Sequence, residues 1–264
     1  PTSTLDWCEE NYILSSWLAE AWNASSNIFF QILPLIGLVS VWKTHAEARF
    51  AVAYVALMLT GVGSFLFHGT LLYSAQLLDE LPMVFGGCVS VYVQLQMWGT
   101  PRHRPLTVAL LALYGLSTAL IYLYLRAPIF FQSSFGILTF FQVLLNGVNV
   151  AWAAAAYPAH KRTLWGGFAA GVGAFLAAYA LWTLDQKLCP TLQSTRAVLG
   201  YPLSPLLELH AWWHVLTAFA GYVAVSGAQF ARALVLGRKD VRVFYGGGIL
   251  PVVWGLEVGK LKEW

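Results

Sequence analysis

Charge is what this chain has least of. Asp, Glu, Lys and Arg together supply 10% of its 264 residues, against roughly 25% in a soluble domain. So few charges cannot cover a water-facing surface, and hydrophobic residues reach 58%. There is no block of like charge and the formal net charge is only +3, so the electrostatic footprint of a nucleic-acid binder is missing. Cysteine is scarce as well: three residues do not make a disulfide scaffold. Disordered, collagenous and coiled-coil chains are excluded on the same composition. What remains is an all-α, polytopic membrane protein.

The spans follow from where charge is absent. A helix needs about 20 apolar residues to cross a bilayer. Seven runs free of Asp, Glu, Lys and Arg are long enough: 21–42, 50–78, 81–101, 105–125, 127–160, 163–184 and 209–231. Seven transmembrane helices are therefore predicted, forming one domain over 1–236. A β-barrel would show segments of about ten alternating residues instead. The next longest run, 243–256, has 14 residues and contains Gly246-Gly247-Gly248. It is too short to span and reads as part of a cytosolic or interfacial tail, 237–264. Pro101, Pro105, Pro128 and Pro158 sit near run ends, where helices stop or start. Pro34 lies inside a run, and Pro82 either bends a helix or opens its first turn.

Orientation follows from Lys and Arg, which favour the cytosol. Lys43, Arg49, Arg102, Arg104, Lys161, Arg162, Arg232, Arg238, Lys239, Arg242, Lys260 and Lys262 fall on one side, 12 of the 15 basic residues. Arg126, Lys187 and Arg196 fall on the other. The N-terminus is expected to be lumenal or extracellular and the C-terminus cytosolic. Residues 1–20 are polar and carry no apolar core of a signal peptide.

Buried polar groups in a membrane protein are costly and usually functional. His45, His103 and His160 lie in the basic loops and read as solvated. His210 and His214 are spaced i, i+4 and share one helix face, the spacing a metal uses. Two interfacial histidines beside Trp212 and Trp213 would show the same spacing. His68 tips the balance: it lies near the outer end of the second run, at a depth matching His210 at about 1.5 Å per residue. Three histidines at one level suit a catalytic zinc with an open fourth position. Asp79 is at that depth too, with Glu80 expected to do no more than favour a helix N-terminus. Ser64 precedes His68 by one turn on the same face, though a serine there often only bonds a backbone carbonyl. Asp6, Glu9, Glu10, Asn11 and Glu20 crowd the segment 1–20 with no Lys or Arg among them. Such acid crowding suits a hard cation such as calcium, or a solvated tail.

At these residues the chain resembles the alkaline ceramidases, phytoceramidase-type branch, within the seven-helix membrane hydrolases that include adiponectin-receptor-like proteins. The matching pieces are Asp6-Trp7-Cys8-Glu9-Glu10-Asn11-Tyr12, Glu20 with Asn23, Ser64-x-x-x-His68, Leu77-Leu78-Asp79-Glu80-Leu81 and His210-Ala211-Trp212-Trp213-His214. The resemblance implies hydrolysis of ceramides to a sphingoid base and a fatty acid. It implies zinc on His68, His210 and His214, with Ser64 and Asp79 as the catalytic pair beside it. It also implies calcium on Asp6, Glu9, Asn11 and Glu20 and the Trp7 carbonyl, and residence in endoplasmic reticulum or Golgi membranes. The substrate would be a ceramide drawn from the bilayer, with no obligate protein partner.

The rival readings are a seven-helix lipid receptor and a hydrolase of another lipid amide or ester. A receptor has no need of this His/His/His/Asp grouping. A proton-coupled transporter would carry ionisable groups near the bilayer midplane, where these runs have none. One further expectation rests on topology. Cys88 lies inside an apolar run and reads as a buried thiol. Cys8 and Cys189 both fall on the lumenal side, where disulfides persist, and are predicted to pair. Residues 185–208, which show little regular pattern, read as a loop between the last two spans.

Overall fold

The computed structural model describes residues 1–99, 104–246 and 250–255. Pro101, Arg102, His103, Gly247, Gly248, Lys260 and Lys262 lie outside them. The described chain is mostly helical. Its helices are α1 (Ala21–Ser26), α2 (Phe29–Thr44), α3 (Ala48–Thr70), α4 (Tyr73–Leu95), α5 (Pro105–Leu125), α6 (Pro128–Ala156), α7 (Lys161–Lys187), α8 (Cys189–Leu199) and α9 (Leu209–Val235). Among the described residues, six stretches are long and apolar enough to cross a membrane: Ala21–Thr44, Ala48–Thr70, Pro105–Leu125, Pro128–Ala156, Pro158–Lys187 and Leu209–Val235. Helix α4 has the length, at 23 residues, but carries Gln76, Asp79, Glu80 and Gln94.

Proline opens α5, α6 and α8, where the missing N–H has no partner to lose. The second and third runs divide earlier than their charges indicate. The break falls at Leu71, whose φ of 50° ends α3 in a left-handed turn. That conformation costs a leucine about 1–2 kcal/mol. The turn is held by Leu71 N–H on the Phe67 carbonyl at 2.7 Å, and by Thr2 and Ser3 N–H on the Leu71 carbonyl at 2.8 and 3.1 Å. No Asp, Glu, Lys or Arg marks it, so a charge count passes over it. Asp79, Glu80 and Pro82 consequently lie inside α4 rather than at its start, and Pro82 does not open the first turn.

Helix α9 is the most enclosed of the six stretches. It touches α1, α2, α3, α4, α6 and α7. Between α3 and α4 the backbones almost meet: a Cβ on Gly63 would lie 1.8 Å from the Leu78 carbonyl oxygen. Any other residue at 63 would push the two helices apart.

Two segments correct the sequence reading. Residues 185–208 hold α8 and a short 3-10 turn, Ser204–Leu207, rather than an irregular loop. The all-α expectation also fails at the C-terminal end. Strands β1 (Val241–Gly246) and β2 (Leu250–Gly255) pair antiparallel, Val241 opposite Gly255 and Gly246 opposite Leu250. The run 243–256 is rich in valine and aromatic residues, the composition of strands, whereas a search for helices asks only whether it can span. The hairpin packs on the bundle. Val241 and Val253 join the core cluster of Phe50 and Leu234, the Tyr222 hydroxyl donates to the Pro251 carbonyl at 2.8 Å, and Arg238 bonds the Thr44 carbonyl. Gly255 permits this fit, since a Cβ there would lie 2.6 Å from the Lys43 carbonyl oxygen.

Cys8 and Cys189 form a disulfide, Cα–Cα 5.3 Å, closing 181 residues of sequence. Cys88 is buried and free. On the chain-entropy model a loop that long stabilises the fold by about 5 kcal/mol. Cys8→Ser is therefore expected to lower the thermal midpoint by several degrees in detergent. An unchanged midpoint under reductant and without it would show that the bridge contributes nothing.

Candidate metal centre and active site

His68 is two residues from the end of α3, and His210 is the second residue of α9. His214 follows His210 by one turn. Glu20 N–H bonds the His68 carbonyl at 2.9 Å and Ala19 N–H the Gly69 carbonyl at 3.0 Å, so the N-terminal segment lies across this end of the bundle. The three imidazoles converge there. One nitrogen from each lies within 4.8 Å of the other two, and ring centroids are 4.7–5.0 Å apart. All three are buried.

Their partners fix the ring chemistry. The Glu20 carboxylate lies 2.5 Å from His68 Nδ1. A carboxylate accepts, so Nδ1 carries the proton and Nε2 keeps its lone pair. The Ser26 hydroxyl spends its one hydrogen on the Asn23 carbonyl at 2.9 Å and must accept from His214 Nδ1 at 2.8 Å. His214 Nε2 is therefore also a lone-pair site. His68 Nε2 and His210 Nδ1 are buried with no hydrogen-bond partner. The Trp7 indole stacks on the His210 ring at 3.8 Å between centroids. Two imidazoles oriented by outer partners and a third stacked on Trp7, each bringing a ring nitrogen to one point, are the donor set a zinc ion takes. The site thus fits zinc on an observation of its own.

Asp79 and Ser64 come to the same place. The α3–α4 contact at Gly63 brings Leu78 and Asp79 against α3, and the Ser64 hydroxyl bonds the Asp79 carboxylate. Ser64 Oγ also lies 3.4 Å from His214 Nε2. Glu80 points elsewhere. Its carboxylate accepts from the Tyr122 hydroxyl at 2.5 Å and from Gln76 Nε2 at 3.3 Å. Gln76 in turn accepts from Thr4 N–H at 2.9 Å. Glu80 is a buried strut between α4, α5 and the N-terminal segment, beyond the helix-start role its sequence position indicates.

The acidic segment is partly gathered. Asn11 Nδ2 donates to both Asp6 oxygens, at 3.2 and 3.4 Å. Trp7 N–H donates to Glu20 Oε1 at 3.2 Å, and the Asp6 carboxylate faces that of Glu20. Asn11 Oδ1 is buried without a partner. Two facing carboxylates and an orphaned amide oxygen suit a hard cation. Glu9 also caps a helix, with a lone pair left on each oxygen for a cation. Its two oxygens accept Trp22 and Asn23 N–H at 2.7 and 2.8 Å, capping α1, and burial raises it to about 7. Ser26, Asp185 and Arg196 were not singled out by sequence. Ser26 sits in an apolar run where serine usually bonds only backbone, and the other two lie on a segment that reads as loop.

Known proteins match this chain over nearly all its length. The family model described as Ceramidase covers residues 1–254. Alkaline ceramidase 3 of Mus musculus is 38% identical over 256 residues, 96% of this chain and 92% of the relative. An alkaline ceramidase of Arabidopsis thaliana is 32% identical with the same coverage of both chains. One of Saccharomyces cerevisiae is 31% identical over 89% of this chain and 78% of its own length. With the histidine centre and these matches in hand, the chain belongs to the ceramidase family.

Proposed function

We propose that this ceramidase is a zinc-dependent intramembrane amidase that cleaves ceramides, phytoceramide-type included, to a sphingoid base and a fatty acid, with calcium as modulator. The observation that supports it most is the convergence of His68, His210 and His214 beside Asp79 and Ser64. In this reading α4 is the seventh span, its polar residues tolerated because they face the bundle. The histidine end is lumenal, in endoplasmic reticulum or Golgi membranes, and the end carrying the hairpin is cytosolic.

Zinc, when bound, supplies a Lewis acid that polarises the amide carbonyl and lowers the pKa of water toward about 7. The chain supplies the rest. Asp79 takes a proton on its carboxylate and delivers it to the leaving amine nitrogen. Ser64 donates its hydroxyl to charge developing on the former carbonyl oxygen, or holds Asp79 in place. Glu20 and Ser26 hold the imidazoles in the tautomer that leaves lone pairs free. A site just inside one end of the bundle can admit a two-chain lipid sideways from the bilayer.

The test is release of free sphingoid base from several ceramides, with and without a zinc chelator. Zinc bound without release would instead favour a receptor with a structural metal. For calcium, the ligands are Asp6, Glu9, Asn11, Glu20 and the Trp7 carbonyl. At about 100 times its Kd, calcium should stabilise by about 2.7 kcal/mol, read as a rise in thermal midpoint. Glu20→Ala should abolish that rise and lower hydrolysis together, because Glu20 also holds His68. A wild-type protein with no calcium-dependent shift would remove the site.

A further inference from the structure

Asp185 at the end of α7 and Arg196 on α8 take no part in the chemistry above, yet both are buried, 1% and 5% exposed. Both grip backbone, and the same two stretches of it. Asp185 Oδ2 accepts Cys8 N–H and Oδ1 accepts His210 N–H, each at 3.3 Å. Arg196 Nη2 donates to the Cys8 carbonyl at 2.6 Å and to Glu10 at 2.8 Å. Its Nη1 donates to the Leu207 carbonyl at 3.2 Å and forms an ion pair with the Glu208 carboxylate at 3.0 Å. Cys8 is thus held on both its N–H and its C=O, and the chain leading into α9 at 207, 208 and 210.

A tether alone does not require this. The disulfide already ties Cys8 to the start of α8, and burying two charges is costly unless their bonding partners repay it. An ordinary helix cap would need only the His210 N–H. What the pair adds is register. With Cys8 fixed against the first turn of α9, its neighbour Trp7 lies flat on the His210 ring, 18° between planes.

We propose that Asp185 and Arg196 are positioning residues for His210: together they lock the Trp7–Cys8 segment onto the first turn of α9 and so aim the imidazole. The inference rests on the reading of His210 as a zinc ligand. It makes the N-terminal segment act on the centre by a second route, separate from the Glu20–His68 bond.

The full-length, zinc-loaded protein tests it. Asp185→Asn keeps the volume but turns an amide donor toward one of the two N–H groups. Its zinc should pass to a chromophoric chelator about ten times faster than from wild type, the lower end of what loss of an outer partner costs. Its kcat should fall while KM stays unchanged. Arg196→Lys, which keeps the charge and loses the fork, should shift both readouts the same way and decides the matter should Asp185→Asn not fold. Thr4→Val removes the hydroxyl bonds of the same segment to Gln76 and keeps the backbone one; neither touches Asp185 or Arg196, and the variant should hold zinc as wild type does. Wild-type zinc retention in the two clamp variants, or equal loss in Thr4→Val, overturns the proposal. A wild-type protein that binds no zinc at all overturns the underlying reading and this one with it.

Discussion

Alanine at His214 is expected to leave a folded protein that holds no zinc and releases no sphingoid base. The loss of activity should exceed about 10³-fold, since outer partners of a metal ligand alone cost 10–100-fold. His214 sits at the centre of the arrangement: Ser26 orients its Nδ1 at 2.8 Å, and Ser64 lies 3.4 Å from its Nε2. Removing the ring empties one of three donor positions and leaves the Ser26 oxygen without its N–H donor. Two measurements separate the metal from the fold. Metal analysis should show zinc content falling well below wild type, and the thermal midpoint in chelator should match that of chelator-treated wild type. Full zinc occupancy in the variant would sink the assignment of His214 as a ligand. His68→Ala and His210→Ala should behave alike, with His68→Ala also releasing the Glu20 carboxylate from its 2.5 Å partner.

The centre was legible because polar residues are rare in apolar helices and their spacing survives any small error in helix ends. His210 and His214 share a face whether α9 begins at 208 or 210. His68 lies near the end of α3 whether that helix stops at Thr70 or later. Its depth was therefore readable although the boundary was not. The boundary itself, at Leu71, is made by a left-handed leucine that no composition rule marks. The pairing of Cys8 with Cys189 followed from sidedness alone. Neighbours in sequence were harder. Asp79 and Glu80 are adjacent, but each residue turns a helix by about 100°. Asp79 consequently faces Ser64 on α3 and Glu80 faces Tyr122 on α5. A doublet read as one helix-start signal is two side chains with different tasks. The hairpin was missed for a related reason: absence of charge identifies what can be buried, not the period in which it is buried.

Asp79→Asn should separate catalysis from metal binding. The amide is nearly isosteric, so the α3–α4 contact at Gly63 and the bond from Ser64 can persist. Asn can accept that hydrogen bond, but it cannot take a proton at neutral pH and return it to an amine. General acid–base groups contribute about 10²–10⁴-fold, and here one carboxylate would serve both the attack and the departure of the leaving group. The expected fall in kcat lies toward the upper end of that range, with zinc content unchanged and KM within a few fold. Ser64→Ala should cost less, about 10²-fold, as a single donor to a developing oxyanion. If Asp79 only shaped the pocket, Asp79→Asn would turn over at close to the wild-type rate, and the proton would have to travel by another group. Glu80 is the nearest carboxylate in sequence, but its oxygens are engaged by Tyr122 and Gln76. Glu80→Gln is therefore expected to lower the thermal midpoint and leave kcat far less affected than Asp79→Asn does. A reversed order of the two effects would move the proton-carrying role from Asp79 to Glu80.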